Sequence, residues 1–237
     1  MKIKIYHILF IALFAISIFS CKKDNYKPPT LTLSGKVAYK GEALQFQYNQ
    51  FGFELYQYGF GRVGAIGQIF APDGTFSALL FAGDYKLTIP NATVPFKWKQ
   101  TVPGIPDSIA INITTSKTMD IEVIPFYMVR TPQITASAGK VNATFKAEKI
   151  ITDATGKDIE KVALFINKTQ FVSSGNNESV QIKEIDGAAI TDPNNITLSL
   201  SVPALVPTQT YIFARVGIKI KDLGGSWIYS PVQKLTF

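Results

Sequence analysis

The sequence predicts an all-β protein made of two consecutive β-sandwich domains, and three observations support this. From residue 31 onward, apolar and polar residues alternate with the two-residue period of strands that bury one face. Clusters rich in Gly, Pro, Asn and Asp separate the alternating runs, as turns do. After the first thirty residues, no long segment carries the apolar stripe of a helix. Because a sandwich of this type takes roughly 100 residues, a chain of 237 residues has room for two.

The alternation is clearest in the second half of the chain. Apolar residues occupy every second position over residues 141–147, 196–202 and 212–220. Turn residues recur between runs of this kind at positions 72–74, 82–84, 174–177, 192–195 and 223–225. This spacing of short strands and turns is typical of sandwiches.

Residues 1–20 are predicted to be a signal peptide. Two lysines precede a mainly apolar stretch over residues 5–19. That stretch is shorter than the roughly 20 residues that span a bilayer, and it has the length of a signal-peptide core. Because polar residues follow at once, no second apolar segment is available to stop transfer through the membrane.

Cys21 is predicted to carry a lipid anchor. It is the only cysteine of the chain, so it cannot form an intrachain disulfide. The segment Ile18-Phe19-Ser20-Cys21 resembles a bacterial lipobox, whose cysteine is acylated and becomes the first residue of the mature protein. The resemblance implies that the membrane is a partner and that residues 21–29 form a polar tether. The alternative is an ordinary secretory signal with a chance cysteine.

The boundary between the two domains is predicted at residues 125–132. A strand is expected to stop at Pro125, and Pro132 precedes a new strand that is expected to start at Gln133. Proline lacks the amide hydrogen that a central strand donates, so it marks strand ends. The apolar residues between the two prolines predict a packed joint. The predicted domains are residues 30–125 and 131–237.

Several segments resemble known domain types. Residues 33–37, 41–42, 73–76 and 83–87 (Leu-Ser-Gly-Lys-Val, Gly-Glu, Asp-Gly-Thr-Phe and Gly-Asp-Tyr-Lys-Leu) resemble the transthyretin-like, carboxypeptidase-regulatory sandwich. Residues 213–217 and 227–230 resemble a fibronectin-III or immunoglobulin-like sandwich. Both domains behind a lipobox resemble a two-domain lipoprotein family of unknown function from Bacteroidetes, encoded beside outer-membrane glycan importers.

That family resemblance implies a place and a set of partners. The expected location is the outer membrane, on a face that the sequence leaves open. The candidate partners are a polysaccharide and outer-membrane importer proteins. Asp107-Ser108-Ile109 is similar to the O-glycosylation motif of exported Bacteroidetes proteins, so a glycan on Ser108 is also left open.

The residue inventory predicts a protein that is not an enzyme and holds no metal or cofactor. Its only histidine, His7, belongs to the signal peptide, and its only cysteine is the lipidation site. The mature chain therefore lacks the side chains of Ser-His-Asp and Cys-His catalysis and of the usual zinc sites. A glycosidase that uses two carboxylates is the remaining enzymatic alternative. The one tight acidic group, Asp153, Asp158 and Glu160, is predicted to be a solvated turn.

Residues 59–64 match the dinucleotide-binding pattern G-x-G-x-x-G. The pattern binds a pyrophosphate only when a helix follows, because the helix N-terminus holds the phosphates. Residues 65–72 are strand-like and end at a proline. We therefore predict a flexible glycine-rich loop.

Aromatic residues near this loop are the candidates for glycan binding. Sugars stack their apolar C–H faces on aromatic rings, while nearby polar groups bind their hydroxyls. Phe51 and Phe53 belong to the same group, most of whose rings should still point into the core, because roughly half of any strand points inward. Trp227 is expected at a core edge. Trp98, between two lysines, is the best candidate for an exposed ring. The predicted glycan-binding residues are Tyr56, Tyr58, Phe60, Arg62 and Trp98.

The chain has a formal net charge of +7, yet its lysines are scattered and form no cluster. A solvated basic surface explains this pattern, and nucleic acid is not an expected partner of an exported protein. Attraction to an acidic polysaccharide is the alternative. Together these features favour a lipid-anchored accessory glycan-binding protein of a polysaccharide-utilisation system. The alternative is a spacer or docking module for an outer-membrane complex.

Overall fold

A computed structural model describes residues 27–59, 61, 63–90, 93–102 and 105–236. The described chain forms β-strands in two sandwich domains, which confirms the predicted all-β class. Its one helical segment is a short 3-10 turn at Gly187–Ala189. The signal peptide and Cys21 lie outside the described residues. Within the described part, no helix is both long and apolar enough to span a membrane.

The first domain contains strands β1 to β13. Their bounds are Leu31–Tyr39 (β1), Glu42–Ala43 (β2), Gly52–Gln57 (β3), Ala65–Ile69 (β4), Thr75–Leu80 (β5), Gly83–Thr88 (β6), Phe96–Lys97 (β7), Gln100–Val102 (β8), Ile105–Pro106 (β9), Ile109–Ile113 (β10), Lys117–Thr118 (β11), Ile121–Glu122 (β12) and Ile124–Pro125 (β13).

Two main sheets build this domain. In the first, β1 pairs antiparallel with β5 and β2 on one side and parallel with β11 and β12 on the other. The second sheet has the order β10-β6-β3-β4, and all its pairs are antiparallel. Side chains such as Leu33, Phe53 and Leu87 are buried in the core. The small pairs β7–β13 and β8–β9 complete the domain.

The second domain contains strands β14 to β21. Their bounds are Tyr127–Ser137 (β14), Lys140–Lys149 (β15), Ile159–Asn167 (β16), Gln181–Asp186 (β17), Ile196–Ser201 (β18), Tyr211–Ile220 (β19), Trp227–Tyr229 (β20) and Gln233–Thr236 (β21). One sheet has the order β14-β15-β18, and the other has the order β17-β16-β19, with both β20 and β21 paired to β19. These two sheets form the second sandwich.

The strand at the domain boundary differs from the sequence-based prediction. Strand β14 starts at Tyr127 and runs through Pro132, so the expected start at Gln133 is wrong. Proline is tolerated there because β14 is an edge strand, and the pairing with β15 is irregular between Arg130 and Gln133. Phe126, Tyr127 and Met128 are buried, as expected for a packed joint.

The two domains share side-chain and backbone contacts. Arg130 contacts Glu42 in the first domain and Glu148 in the second. The backbone of Gln45 forms an isolated bridge with Tyr229, and the main hydrophobic cluster is continuous across both domains. The loop before β3 therefore pairs with the edge of β20, in the large sheet of the second domain.

Candidate functional site

One sheet face of the first domain is open and carries two of the predicted tyrosines. It is the outward face of the β10-β6-β3-β4 sheet, and we call it the tyrosine face. In β3, buried side chains alternate with half-buried ones, so every second residue points outward. The register places Tyr56 beside Lys86 on one side and Ala65 on the other. The face includes Glu54, Tyr56, Tyr58, Ala65, Gly67, Ile69, Lys86 and Thr88.

Tyr56 is held in place by its neighbour two positions earlier. Its hydroxyl donates a hydrogen bond to Oε2 of Glu54 at 2.6 Å. This hydrogen bond, together with desolvation and the charge of Glu54, raises the pKa of Tyr56 above its ordinary value. The phenol therefore stays protonated at neutral pH, and its oxygen can accept a further hydrogen bond from a ligand.

Tyr58 follows β3 directly and is 47% exposed. Its backbone N–H donates to the carbonyl of Asp84 at 3.1 Å, so pairing with β6 continues to this residue. The Nζ atom of Lys86 lies 5.3 Å from the centre of the Tyr58 ring. A cation at this distance from an aromatic face is attracted by the π electrons. The contact orients the ring and leaves much of it free for a ligand.

The segment after Tyr58 turns through glycines. Gly59 and Gly61 have φ angles of 82° and 55°, which L side chains rarely adopt. No atom lies within 4 Å of where a Cβ of Gly67 would stand, so the face is open beside Glu54. The strand β4, and not a helix, follows this loop, which confirms that residues 59–64 are not a dinucleotide-binding element.

Polar groups border the tyrosine face on the β6 and β10 side. Nδ2 of Asn112 donates to Oδ1 of Asp84 at 2.7 Å, and the hydroxyl of Thr88 donates to the carbonyl of Asp107. The hydrogen bond from the Ser108 backbone and the ammonium group of Lys99 lower the pKa of Asp107. Aromatic rings beside charged and hydroxyl groups can bind a sugar through both its C–H faces and its hydroxyls.

The predicted exposure of Trp98 is wrong. Trp98 is only 8% exposed and belongs to the main hydrophobic cluster. It lies two residues after the buried Phe96, and side chains two apart along an extended chain point the same way. Its indole Nε1 has no hydrogen-bond partner among the described residues. The other predicted glycan-binding residues, Phe60 and Arg62, lie outside the described residues.

Other aromatic residues are buried. Phe51 and Phe53 are buried in the core of the first domain. Trp227 is buried as well, in a small cluster with Phe165 and Tyr229 on the outer face of the large sheet.

A second group of residues, which no sequence pattern indicated, lies where the domains meet. Tyr48 of the first domain and Phe171 of the second have ring centres 5.8 Å apart in an edge-to-face arrangement. They are 57% and 47% exposed, respectively. Arg215, beneath this region, is buried. No sequence pattern indicated that Phe171, an aromatic residue in a loop, and Arg215, an arginine inside an alternating strand, would lie close together.

The acidic group of the second domain is dispersed. Asp153 accepts hydrogen bonds from Thr155 in its own turn, whereas Asp158 pairs with Lys149 at 3.4 Å and Glu160 with Lys219 at 2.6 Å. Within the described ranges, no group of three or more His, Cys, Asp or Glu residues is placed to hold a metal ion. These three acidic residues therefore form ordinary surface contacts.

Comparison with protein families matches both domains. Residues 31–124 match the N-terminal domain of the protein family of unknown function DUF3823, and residues 127–234 match the C-terminal domain of unknown function of the same family. Two DUF3823 family crystal structures are similar throughout. The one from Bacteroides ovatus is 26% identical with a TM-score of 0.74, covering 88% of this chain and 99% of its own. The one from Parabacteroides merdae is 28% identical with a TM-score of 0.74, covering 89% and 100%.

A third similar structure comes from Bacteroides uniformis and is described as a candidate carbohydrate-binding protein. It is 17% identical with a TM-score of 0.67, covering 88% of this chain and 100% of its own. Identity at this level shows the shared fold. A search of curated proteins finds no significant match. The two family matches together span nearly all of the described residues, so this chain belongs to the DUF3823 family.

Proposed function

We propose that this member of the DUF3823 family is a non-catalytic glycan-binding lipoprotein, anchored by a lipid on Cys21 to the outer membrane. It would serve there as an accessory protein of a polysaccharide-utilisation system. The observation that carries the binding role is the pair of outward tyrosines, Tyr56 and Tyr58, on an open sheet face bordered by polar groups.

The geometry of the tyrosine face suits an extended sugar chain. Alternate residues of a strand lie roughly 6.6 Å apart, so the two tyrosines form a row along β3. Gly67 and Ala65, on the neighbouring strand, leave the space beside that row free of bulky side chains. Lys86, on the other side, offers a donor to sugar hydroxyls, and the hydroxyl oxygen of Thr88, whose hydrogen goes to Asp107, can accept a hydrogen bond from one. Binding through rings and hydroxyls needs no metal ion.

A structural neighbour adds modest support. The Bacteroides uniformis protein of the same fold is described as a candidate carbohydrate-binding protein. Because the shared identity is 17%, this neighbour supports the suitability of the fold for such a role and names no residues. The residues proposed to bind the glycan are those of the tyrosine face.

Affinity electrophoresis against a panel of neutral and acidic polysaccharides tests the proposal. We expect weak retardation of the mature chain by at least one polysaccharide, unchanged when calcium is removed. Tyr58→Ala should abolish it without changing the circular dichroism spectrum, since losing a ring anchor commonly costs more than about 2 kcal/mol. Tyr56→Phe, which keeps the ring, should weaken it less.

A matched control is available in the second domain. Tyr211 also has a lysine over its ring, with Lys234 Nζ at 4.0 Å from the ring centre. Tyr211→Ala should therefore leave binding unchanged. If no polysaccharide retards the wild type, or if Tyr58→Ala binds as well as the wild type, the docking-module function takes its place.

A further inference from the structure

A cavity of about 420 Å³ opens between the two domains, away from the tyrosine face. The turn between β4 and β5 and the loop after β2 form its first-domain wall, and the loop after β16 and the segment after β20 form its second-domain wall. Strand β3 begins at this end of the first domain and ends at Gln57, just before Tyr58. The residues that line the cavity include Gln45, Asp73, Gln170, Phe171 and Arg215.

Arg215 is the unusual member of this lining. It is only 2% exposed, and no carboxylate forms an ion pair with it among the described residues. One of its terminal nitrogens donates to the carbonyl of Phe46 at 2.9 Å. Its Nε has no hydrogen-bond partner in the part of the chain that the structure describes. A buried charge normally has a partner of opposite charge, because its desolvation is otherwise uncompensated.

The guanidinium of Arg215 nevertheless remains charged at neutral pH. It lies over the ring of Tyr229, with 3.7 Å between the guanidinium carbon and the ring centre. Burial lowers its pKa to about 10, although Tyr229 and Glu178 oppose that shift. A positive charge therefore stands in the wall of a cavity with spare capacity for an anionic acceptor.

The rest of the cavity offers what a saccharide needs. The Phe171 ring, with Tyr48 beside it, forms an exposed aromatic platform at the rim. The side-chain amides of Gln45 and Gln170 can donate and accept hydrogen bonds with hydroxyls. Only one of the lining residues is acidic, Asp73, and its Oδ1 already accepts hydrogen bonds from the backbone and hydroxyl of Thr75.

From this geometry we infer a second ligand site, in the cleft between the domains, that binds a sugar carrying a carboxylate. Arg215 binds the carboxylate, the two glutamines bind hydroxyls, and Phe171 stacks on the sugar ring. A uronic-acid saccharide is the ligand class that has all three features. The site is separate from the tyrosine face, so either can fail without the other.

Calorimetric titration of the mature protein with trigalacturonate, and with the neutral galactose trisaccharide, tests this inference. We expect trigalacturonate to bind at least about tenfold more tightly, because a hydrogen bond to a charged group contributes roughly 1.5–3 kcal/mol. Raising the salt concentration should weaken the binding of trigalacturonate and leave the binding of the neutral trisaccharide unchanged. Acetate alone should compete at high concentration, since it shares the carboxylate and lacks the sugar.

Four variants separate the roles in the cleft. Arg215→Gln should lower affinity for trigalacturonate about tenfold or more, and Phe171→Ala, at an exposed position, should weaken it without altering thermal stability. Asp73→Asn keeps the oxygen that holds the turn and removes a negative charge, so it should tighten binding. Tyr58→Ala should change nothing here, whatever it does to neutral polysaccharides.

The inference is overturned if the acidic and neutral trisaccharides bind equally, or if neither binds. It also fails if Phe171→Ala and Asp73→Asn both leave the affinity for trigalacturonate unchanged. These two variants keep the test decisive even if Arg215→Gln unfolds the protein.

Discussion

The guanidinium of Arg215 stacks on the ring of Tyr229, and no carboxylate of the described chain forms an ion pair with it. Its folded-state pKa, about 10, lies well below the ordinary value of an arginine. A base whose pKa falls on folding binds its proton more tightly in the unfolded chain, so the charge opposes folding at pH 7. The charge is therefore better explained by binding than by stability.

Replacing this charge by an apolar side chain of similar length should not unfold the protein. We predict that Arg215→Met leaves the free energy of unfolding unchanged or raises it by about 1 kcal/mol, as replacements of buried ions often do. Urea denaturation followed by tryptophan fluorescence measures it. A loss of about 3 kcal/mol or more would instead assign Arg215 a structural role at the domain joint.

Binding of a carboxylate in the cleft should depend on pH in a specific way. Because the pKa of Arg215 is about 10, its charge is constant between about pH 6 and pH 9, and we expect constant affinity for trigalacturonate there. Affinity should fall as the pH rises through 10, where the guanidinium loses its proton. Calorimetry across this range checks the prediction. A fall in affinity between pH 6 and pH 8 would point to a group other than Arg215.

Two glycines of the first domain should respond oppositely to alanine. A Cβ at Gly35 would lie 1.8 Å from the carbonyl oxygen of Met119, where the chain crosses from β11 to β12. Gly35→Ala should therefore lower the free energy of unfolding by about 2 kcal/mol or more. A Cβ at Gly67 would meet no atom within 4 Å, so Gly67→Ala should leave it unchanged or raise it by about 0.5 kcal/mol.

Thermal melts of both glycine variants decide this comparison. Equal melting temperatures for Gly35→Ala and Gly67→Ala would mean that the backbone near Met119 can move away from a new side chain. The loop glycines are less suitable controls, because a positive φ adds its own strain at Gly59 and Gly61.

The sequence predicts local features of this fold well, because alternation and turn chemistry are local. Strand β18 coincides with the alternation that starts at Ile196, and the turn at Asp73 forms as its Asp-Gly-Thr pattern predicts. The strand through Pro132 was not predictable in the same way. Whether a strand lies at the edge of its sheet is set by the topology, and only an edge strand tolerates proline at such a position.

The candidate sites depend on long-range contacts, and there the sequence is a weaker guide. Arg215 contacts the carbonyl of Phe46, 169 positions away, and no local pattern announces that meeting. Trp98 has lysines on both sides, which suggested exposure, yet its ring faces the core. Tyr56 and Tyr58 were selected because they lie near the glycine-rich loop, whereas the structure places Tyr56 outward through the alternation of β3 and Tyr58 directly after that strand.

The lipid anchor can be tested through one residue. If Cys21 carries the only lipid, Cys21→Ala should move the protein from the membrane fraction to the soluble fraction. It should also prevent labelling by a palmitate analogue. Cys21→Ser, which is similar in size, should behave as alanine does. Labelling of the alanine variant at the wild-type level would show an attachment at some other position.

The domain boundary makes a final prediction about two fragments of the second domain. A fragment of residues 131–237 lacks Tyr127 to Arg130, which pair with Lys149 to Lys146 in β15. Tyr127 is buried, and its hydroxyl donates to the carbonyl of Lys157 at 3.0 Å within the same domain. A fragment of residues 127–237 keeps these contacts and should be the more stable of the two.

We expect both fragments, and residues 30–125 of the first domain, to fold alone, since each contains a sandwich core. The 131–237 fragment should melt about 10 °C or more below the 127–237 fragment. Losing a buried tyrosine and its strand pairing costs roughly 2 kcal/mol, and each kcal/mol shifts the melting temperature of such a domain by roughly 4–8 °C. Circular dichroism melts measure the difference. If the two fragments melt together, the first residues of β14 are stabilised mainly by the first domain, and the boundary belongs after Arg130.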